Sequence, residues 1–217
     1  MWSDNVDFVE RYLRQTAEVA QATSREELAK VIELLFECYR ARGTIYTCGN
    51  GGSAANASHL AADLAKFTRA RGRRRLQAQS LCDNAALVSA LTNDEGFGRV
   101  FVEQLVGRIG RGDVLLCLSV HGGSGADQAG PWSQNLVAAA RYARAEGARV
   151  GALVGYDGGA LRQLADACVV VPSALDGSTS TPHVEGFHEV YHHLVCDRLR
   201  ELVQAHGEPA EDEAARS

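Results

Sequence analysis

The sequence predicts an α/β fold in which a parallel sheet lies between two layers of helices, a three-layer α/β/α sandwich. Short apolar runs recur along the chain, and they are apolar throughout rather than alternating, which is typical of strands buried on both faces. Helical patterns separate these runs, and strands that alternate with helices form parallel sheets. The chain has 217 residues, of which 46% are hydrophobic and 23% charged, the composition of one globular domain.

Two helices are predicted before the first strand. Apolar residues recur at three- and four-residue steps over residues 6–42, which indicates amphipathic helices. Ser24 followed by Glu27 predicts a capping box at the start of the second helix. Gly43 stands where a glycine would end that helix. We therefore expect a helical extension over residues 1–42.

The rest of the chain alternates between strand and helix patterns. The predicted strands are Thr44–Cys48, Asp113–Ser119, Arg149–Gly155 and Ala167–Pro172. The predicted helices are Ser53–Phe67, Ala85–Leu91, Gly98–Ile109, Ser133–Glu146, Leu161–Leu164 and Glu185–Ala205. Residues 1–206 are interpreted as one domain. Residues 207–217 are acidic and short of large apolar side chains, so they are predicted to form a disordered tail.

Charge, hydropathy and cysteine content exclude several classes of partner. The 22 basic and 27 acidic residues give a net charge of −5, and the basic run Arg69–Arg75 lacks interleaved aromatic residues, which argues against nucleic acid. No apolar run reaches the roughly 18–20 residues of a membrane span, and the first residues do not resemble a secretory signal. The six cysteines contain no C-x-x-C pair. We therefore expect a cytoplasmic protein with buried, reduced thiols.

Two glycine-rich loops follow predicted strands. The first is Gly49–Ser53 and the second is Ser119–Ser124. Ligands of parallel sheets bind at the carboxyl ends of the strands, and glycines let the backbone approach a ligand closely. Neither loop has the spacing of a nucleoside triphosphate or dinucleotide loop. They predict a small phosphorylated or polyhydroxylated ligand, with plain tight turns as the alternative.

Imidazoles and carboxylates are concentrated on two predicted helices. His59 and Asp63 are four residues apart and share one face of the helix after the first loop. Four histidines lie in the segment PHVEGFHEVYHH, residues 182–193, of the last helix. Such groups serve as general acids and bases near neutral pH, and they also bind zinc. A solvated face of an amphipathic helix is the alternative interpretation.

The run TCGNGGSAANASHLAADL, Thr47 to Leu64, resembles the signature of phosphoheptose isomerases, which are sugar isomerase (SIS) domain enzymes. The resemblance extends over nearly the whole chain. It implies a flavodoxin-like SIS fold and an aldose–ketose isomerase that converts sedoheptulose 7-phosphate into an aldoheptose 7-phosphate through an enediol. It also implies a homotetramer whose active sites lie between subunits, with a sugar phosphate as the small-molecule partner.

The resemblance also implies roles for individual residues. Asp63 is the expected base and His193 the expected acid. The expected substrate contacts are Asn50, Gly51, Gly52, Ser53, Asn93, Asp94, Ser119, Val120, His121, Ser124 and Glu185. The expected ligands of one zinc ion per active site are His59, Asp63, Glu185 and His193. Asp63 stands in place of a longer glutamate and Glu185 in place of a glutamine, and the more anionic site favours a divalent metal.

The sequence leaves two features open, the choice between His192 and His193 and the place of residues 125–132. On a regular helix His192 faces the same way as Glu185, whereas His193 points about 80° away. Periodicity thus favours His192 and the resemblance favours His193, which we follow on the expectation that Glu185 lies at a frayed helix start. The segment GADQAGPW, residues 125–132, is an insertion relative to the family, and its Pro131 and Trp132 are expected in a lid, a subunit contact or a surface loop.

The second loop also departs from the family, because His121 stands where a serine is usual. The family's phosphate-binding serines correspond to Ser119 and then to either Ser124 or Ser133. Two other functions remain possible: an isomerase of another sugar phosphate, and a SIS-domain sensor or adaptor that binds without catalysis. The acid–base residues favour an enzyme.

Overall fold

The computed structural model describes residues 2–123, 132–175 and 178–210 and confirms the predicted α/β fold. A five-stranded sheet, all parallel, has the order β2–β1–β3–β4–β5. Its strands are β1 (Thr44–Cys48), β2 (Gln77–Ser80), β3 (Val114–Ser119), β4 (Arg149–Val154) and β5 (Ala167–Val170). A separate antiparallel ribbon pairs β6 (Ala174–Leu175) with β7 (Ser178–Thr179).

Helices cover both faces of the sheet. They are α1 (Trp2–Ala22), α2 (Arg25–Arg40), α3 (Gly52–Lys66), α4 (Ala85–Glu95), α5 (Val102–Leu105), α6 (Gln134–Ala145), α7 (Gly159–Leu164) and α8 (Thr181–His206), with a 3₁₀ turn at Phe97–Arg99. One core lies between the sheet and α2, α3 and α8, and the other lies between the sheet and α5, α6 and α7. Successive side chains of β3 alternate between the two: Leu116 faces the first core and Leu115 the second.

Strand β2 was not predicted from the sequence. Its residues, Gln-Ala-Gln-Ser, are mostly polar, and only Ser80 is buried. The strand lies at the edge of the sheet, where it pairs with β1 alone. Three of its four side chains are not buried, so β2 lacks the continuous apolar run that identified the other strands, including β5 at the opposite edge.

Helix α2 begins at the predicted cap, but its C-terminus differs from the prediction. The Ser24 side chain accepts a hydrogen bond from the backbone N–H of Glu27 at 3.2 Å, which is one half of the predicted capping box, while the Glu27 carboxylate accepts from the backbone N–H of Val170 at 3.3 Å. At the other end the left-handed residue is Arg42, with φ 60°. Gly43 is required for another reason: a Cβ there would lie 2.0 Å from the carbonyl oxygen of Gly112.

Helices α1 and α4 contribute little to the two cores. Val19 is the only buried residue of α1, whose exposed side chains include Trp2, Phe8 and Leu13. No residue of α4 is buried. Across the part of the chain that the structure describes, no helix combines the length and apolarity that crossing a membrane requires.

The prediction of a disordered tail from residue 207 is wrong for its first four residues. The backbone N–H of Arg74 donates to the carbonyl of Glu208 at 2.9 Å, and that of Ala210 donates to Gly72 at 3.0 Å. Arg74 also stacks on the Tyr39 ring, 4.1 Å from its centroid, and pairs with the Glu208 carboxylate at 3.1 Å. Part of the basic run thus holds the tail, a tertiary contact that composition cannot show. Residues 211–217 lie outside the described residues.

Because the Arg74 side chain both stacks on Tyr39 and pairs with Glu208, we expect Arg74→Ala to lower the free energy of unfolding by about 1–3 kcal/mol. Its side chain is only 15% exposed, so solvent screens these contacts less than those of a surface ion pair. Urea denaturation followed by circular dichroism measures the change. Arg75→Ala, at an exposed position one residue away, is the control. Equal stability of the two variants would show that Arg74 does not fix the tail.

Candidate active site

The two glycine-rich loops meet at one edge of the sheet. They follow β1 and β3, the neighbouring strands at which this strand order reverses its direction of winding, where α/β proteins bind ligands. Asn50 in the first loop and Asn135 at the start of α6 exchange two side-chain hydrogen bonds, both 2.9 Å. The first loop is therefore tied to the helix that follows the second loop.

The second loop has a defined turn. The buried Ser119 hydroxyl accepts a hydrogen bond from the backbone N–H of Gly122 at 3.1 Å. Gly122 and Gly123 both have positive φ, 68° and 70°. A Cβ at Gly122 would lie 1.9 Å from the carbonyl oxygen of Gly158, so the close approach of two loops requires glycine there. Ser124, a predicted substrate contact, lies outside the described residues.

Glu185 lies against the N-terminus of α3. A Cβ added at Gly52 would lie 2.5–2.6 Å from its carboxylate atoms, and the Asn56 side chain donates to its backbone carbonyl at 2.9 Å. The unpaired N–H groups at a helix N-terminus stabilise a carboxylate. Ser53, in the first turn of α3, is buried. The Glu185 carboxylate therefore lies beside the first glycine-rich loop.

Three imidazoles and two carboxylates converge where α3 packs against α8. Oδ2 of Asp63 lies 3.2 Å from Nε2 of His192, 3.5 Å from Nε2 of His193 and 3.6 Å from Nε2 of His59. Oε2 of Glu189 lies 3.0 Å from Nδ1 of His59 and 3.4 Å from Nδ1 of His192. We call these five residues the imidazole cluster. Its two carboxylates approach the imidazoles from different sides.

His192 is the buried member of the imidazole cluster. Its side chain is 0% exposed, and burial lowers its pKa, against a hydrogen bond that it donates to Asp63, which raises it. With its Nε2–H donating to Asp63, the Nδ1 lone pair points into the cluster and has no hydrogen-bond partner among the described residues. That lone pair is close to the Glu189 carboxylate, and two electron-rich atoms at this distance require a proton or a cation between them.

The donor set fits a divalent metal ion. Ligand atoms of His59, Glu189, His192 and His193 all lie within 4.8 Å of one another. Imidazole nitrogens with a carboxylate oxygen are donors that suit zinc and other divalent transition metals. The unpaired Nδ1 of His192 supports the same conclusion, because metal ligation would use that lone pair.

The structure brings together only part of the predicted metal set. His59, Asp63 and His193 meet as expected, whereas Glu185 lies at the first loop and outside the group of ligand atoms. Helix α8 begins at Thr181, so Glu185 stands in regular helix rather than at a frayed start. His192, which periodicity favoured, lies in the cluster together with His193, which the resemblance favoured, whereas Glu189 was missed. Glu189 lies three residues before His192 and four residues before His193. This spacing puts the three side chains on one face of α8, a signal that was available in the sequence.

Two further histidines of α8, His183 and His188, are buried. His183 stacks on Tyr12 with 4.2 Å between ring centroids and connects α8 to α1. His188 is fully buried and has no hydrogen-bond partner in the part of the chain that the structure describes, and burial lowers its pKa to about 3. Neither joins the imidazole cluster.

The remaining predicted substrate contacts are mostly exposed or serve the loops. Asn93 donates to Asp94 at 2.7 Å on the last turn of α4, and both are exposed. Gly51 is exposed with φ 58°, and it precedes α3. The carbonyl of Val120 accepts from the backbone of Gly155 at 3.1 Å.

Known proteins resemble this chain in both sequence and structure. The SIS domain model matches residues 8–155. The lincomycin biosynthesis protein LmbN of Streptomyces lincolnensis is 42% identical over 191 residues, 88% of this chain and 68% of LmbN. A phosphoheptose isomerase of Pelobacter propionicus is 37% identical over 178 residues, 82% of this chain and 86% of that protein.

A solved structure extends the likeness to the fold. Phosphoheptose isomerase GmhA from Neisseria gonorrhoeae matches with a TM-score of 0.77 at 28% identity, over 93% of this chain and 100% of that chain. The glycine-rich loops and the imidazole cluster thus stand in a fold that matches a phosphoheptose isomerase over its whole length. The chain belongs to the SIS domain family and, within it, to the branch that contains the phosphoheptose isomerases.

Proposed function

We propose that the protein is a phosphoheptose isomerase that interconverts sedoheptulose 7-phosphate and an aldoheptose 7-phosphate through an enediol. The observation that carries the proposal is the imidazole cluster, which lies where α3, the helix that the first glycine-rich loop opens, packs against α8. A sensor or adaptor needs the loops to bind a sugar phosphate, but it does not need converging acid–base groups. Kinship with phosphoheptose isomerases supports the same substrate class.

Asp63 is the proposed base of the reaction. Its contacts with the three imidazoles all involve Oδ2, which leaves Oδ1 for the C1 proton of the ketose. Removal of that proton leaves the C–H electron pair to form the C1=C2 bond of the enediol, and the carbonyl oxygen takes a proton. His193 is the proposed acid, because its side chain is 55% exposed and sits 3.5 Å from Asp63. Return of the proton from Asp63 to C2, together with loss of the O1 hydroxyl proton so that the C1=C2 electron pair bonds the new C2 hydrogen and C1 becomes the carbonyl carbon, completes the aldose.

The charges of the two loops suggest which end of the substrate each one binds. The Glu185 carboxylate at the N-terminus of α3 repels an anion and accepts hydrogen bonds from hydroxyl groups. The first loop, with Asn50, then binds the sugar chain. The second loop, residues 119–123, has a serine, glycines and a histidine and no carboxylate, so the phosphate is proposed to bind there.

Zinc is the proposed metal of the imidazole cluster. The residues proposed to hold it are His59, Glu189 and His192, with Glu189 in the place that the resemblance gave to Glu185, and His193 beside them is kept for the role of the acid. When bound, zinc acts as a Lewis acid that polarises the substrate carbonyl. Asp63 orients the His192 ring through its hydrogen bond at 3.2 Å, as a carboxylate next to a metal-binding imidazole commonly does.

A coupled assay tests the substrate class. The purified protein is expected to turn over sedoheptulose 7-phosphate at least ~100-fold more efficiently than fructose 6-phosphate, since hydroxyl recognition discriminates strongly between sugars. Preference for fructose 6-phosphate would identify an isomerase of another sugar. Binding of both phosphates without turnover would identify a sensor.

We also propose a homotetramer in the cytoplasm. The exposed apolar side chains of α1 support association with further copies, since a patch of this kind marks an interaction surface. Asn93 and Asp94, on a helix without buried residues, would contact substrate from a neighbouring subunit. The six free cysteines fit a reducing compartment.

Introducing charge on α1 is expected to dissociate the assembly. Phe8→Asp combined with Leu13→Asp puts two carboxylates where apolar side chains are 54% and 61% exposed. Sedimentation velocity is expected to shift from the tetramer to smaller species, because burying each unpaired charge costs several kcal/mol. Glu10→Gln on the same helix is the control. An unchanged sedimentation coefficient in the double variant would place the interface elsewhere.

A further inference from the structure

Three aromatic rings form a stack beside the second loop. His121 lies between Trp132 and Tyr156, with centroid separations of 5.4 Å and 4.4 Å and interplanar angles of 15° and 25°. These separations and angles are those of stacked aromatic pairs. His121 is half-buried, whereas its neighbours are 56% and 39% exposed. We call this group the aromatic clamp.

The sheet places two of these rings next to the proposed phosphate loop. Ser119 and Val154 are register partners at the ends of β3 and β4. His121 and Tyr156 each follow their strand end by two residues, so they leave the carboxyl edge side by side. The imidazole thus belongs to the same turn as the Ser119 hydroxyl, which accepts from Gly122.

The third ring is connected to the first loop. Trp132 directly precedes Ser133, whose hydroxyl accepts a hydrogen bond from the Asn50 side chain at 3.4 Å. Asn50 is held in turn by Asn135. The clamp is therefore supported from both glycine-rich loops.

Two residues at the clamp, Ser133 and Tyr156, have unfavourable backbone conformations. Within the described ranges the non-glycine residues with positive φ are Arg42, Ser133 and Tyr156, the last two at 52° and 53°. A left-handed conformation is costly for a residue with a Cβ, especially an aromatic one, and it persists only where the surroundings impose it. Such residues cluster at functional sites. Here one of the three, Tyr156, is a ring of the clamp, and another, Ser133, directly follows Trp132.

We propose that the aromatic clamp fixes the His121 ring so that one of its N–H groups donates a hydrogen bond to the substrate phosphate, with Trp132 and Tyr156 as positioning residues. The proposal rests on the proposed function, from which the phosphate position is taken. An imidazole offers an N–H donor in either protonation state. Its reach is longer than that of the serine usual at this position. A free histidine would lose rotamer freedom on binding, and the two flanking rings remove that loss beforehand.

The test separates the N–H group from the ring. His121→Phe keeps an aromatic ring between Trp132 and Tyr156 and removes both nitrogens. We expect the KM for sedoheptulose 7-phosphate to rise about tenfold with kcat within twofold of wild type, as for loss of one hydrogen bond to a charged group. Calorimetric titration with inorganic phosphate is expected to show the same loss of affinity, independently of turnover.

A double-mutant cycle tests the positioning residues. Tyr156→Ala alone is expected to raise the KM and weaken phosphate binding about threefold, but to have no further effect in a His121→Phe background, because its contribution passes through the imidazole. A purely structural ring would instead lower the melting temperature equally in both backgrounds. That result overturns the positioning role.

The outcomes for this inference and for the proposed function are distinguishable. If the wild-type chain binds phosphate, if His121→Phe weakens that binding about tenfold, and if sedoheptulose 7-phosphate is not turned over, the inference stands and the proposed substrate fails. If His121→Phe has wild-type phosphate affinity and KM, or if the wild-type chain does not bind phosphate, the inference is overturned.

Discussion

Asp63→Asn is expected to lower kcat for sedoheptulose 7-phosphate by about 10²–10⁴-fold, the usual contribution of a general base. The substitution keeps the size of the side chain, and an amide oxygen can still accept the hydrogen bond from Nε2 of His192. The amide cannot take the C1 proton. The KM is expected to change little, because Asp63 acts on the proton in the transition state rather than on binding.

Two controls accompany this variant. Asp197→Asn changes an exposed carboxylate of α8 by the same chemistry and is expected to have wild-type kcat. A thermal melt of Asp63→Asn shows that the fold is retained. A kcat within tenfold of wild type in a folded Asp63→Asn variant would contradict the role of Asp63 as the base.

Glu189→Gln is expected to abolish stoichiometric metal binding, whereas Glu185→Gln is expected to preserve it. Glu189 contacts two imidazoles of the cluster, at 3.0 Å and 3.4 Å, whereas Glu185 lies against Gly52. Removing the only carboxylate of the proposed ligand set is expected to weaken zinc affinity by at least about 10–100-fold, the range found even for partners that merely support a ligand. The two variants make the same chemical change one helical turn apart.

Metal content of the purified proteins, measured by plasma mass spectrometry, and zinc titration of chelator-treated protein check this pair. His192→Ala is expected to behave like Glu189→Gln, since the unpaired Nδ1 of His192 points into the cluster. Loss of metal in Glu185→Gln with retention in Glu189→Gln would restore the ligand set that the resemblance implied and contradict our assignment.

The inner part of the fold could be predicted because burial dictates its sequence. The inner strands β1, β3 and β4 and the edge strand β5 are flanked on both faces by helices, and their side chains are accordingly mostly apolar. Strand β2 lies at an edge, and the tail residues 207–210 are held by a distant arginine. Both depend on tertiary partners rather than on local pattern. Helix α8 begins at Thr181, four residues before the predicted start at Glu185, because Ser180 caps it and Pro182 stands in its first turn.

The sequence predicts which faces of α3 and α8 form the candidate site, but it does not predict which turn of α8 supplies the carboxylate. The spacing of His59 and Asp63 fixes one face of α3, and this prediction holds for their mutual contact at 3.6 Å. Glu185 and Glu189 lie one turn apart on nearly the same face of α8. Periodicity cannot separate them, because the choice depends on where α8 crosses α3. Packing of whole helices sets that crossing.

Proton transfer between C1 and C2 is the step that the proposed isomerase must catalyse, and NMR in D₂O observes it directly. Incubation of the protein with sedoheptulose 7-phosphate is expected to produce signals of an aldoheptose 7-phosphate, with deuterium from solvent at C2, and Asp63→Asn is expected to remove both. A different result would be a saturation-transfer signal from bound sedoheptulose 7-phosphate without any conversion, at substrate concentrations that saturate the protein. That result would show a binding protein and contradict the assignment of the imidazole cluster to catalysis.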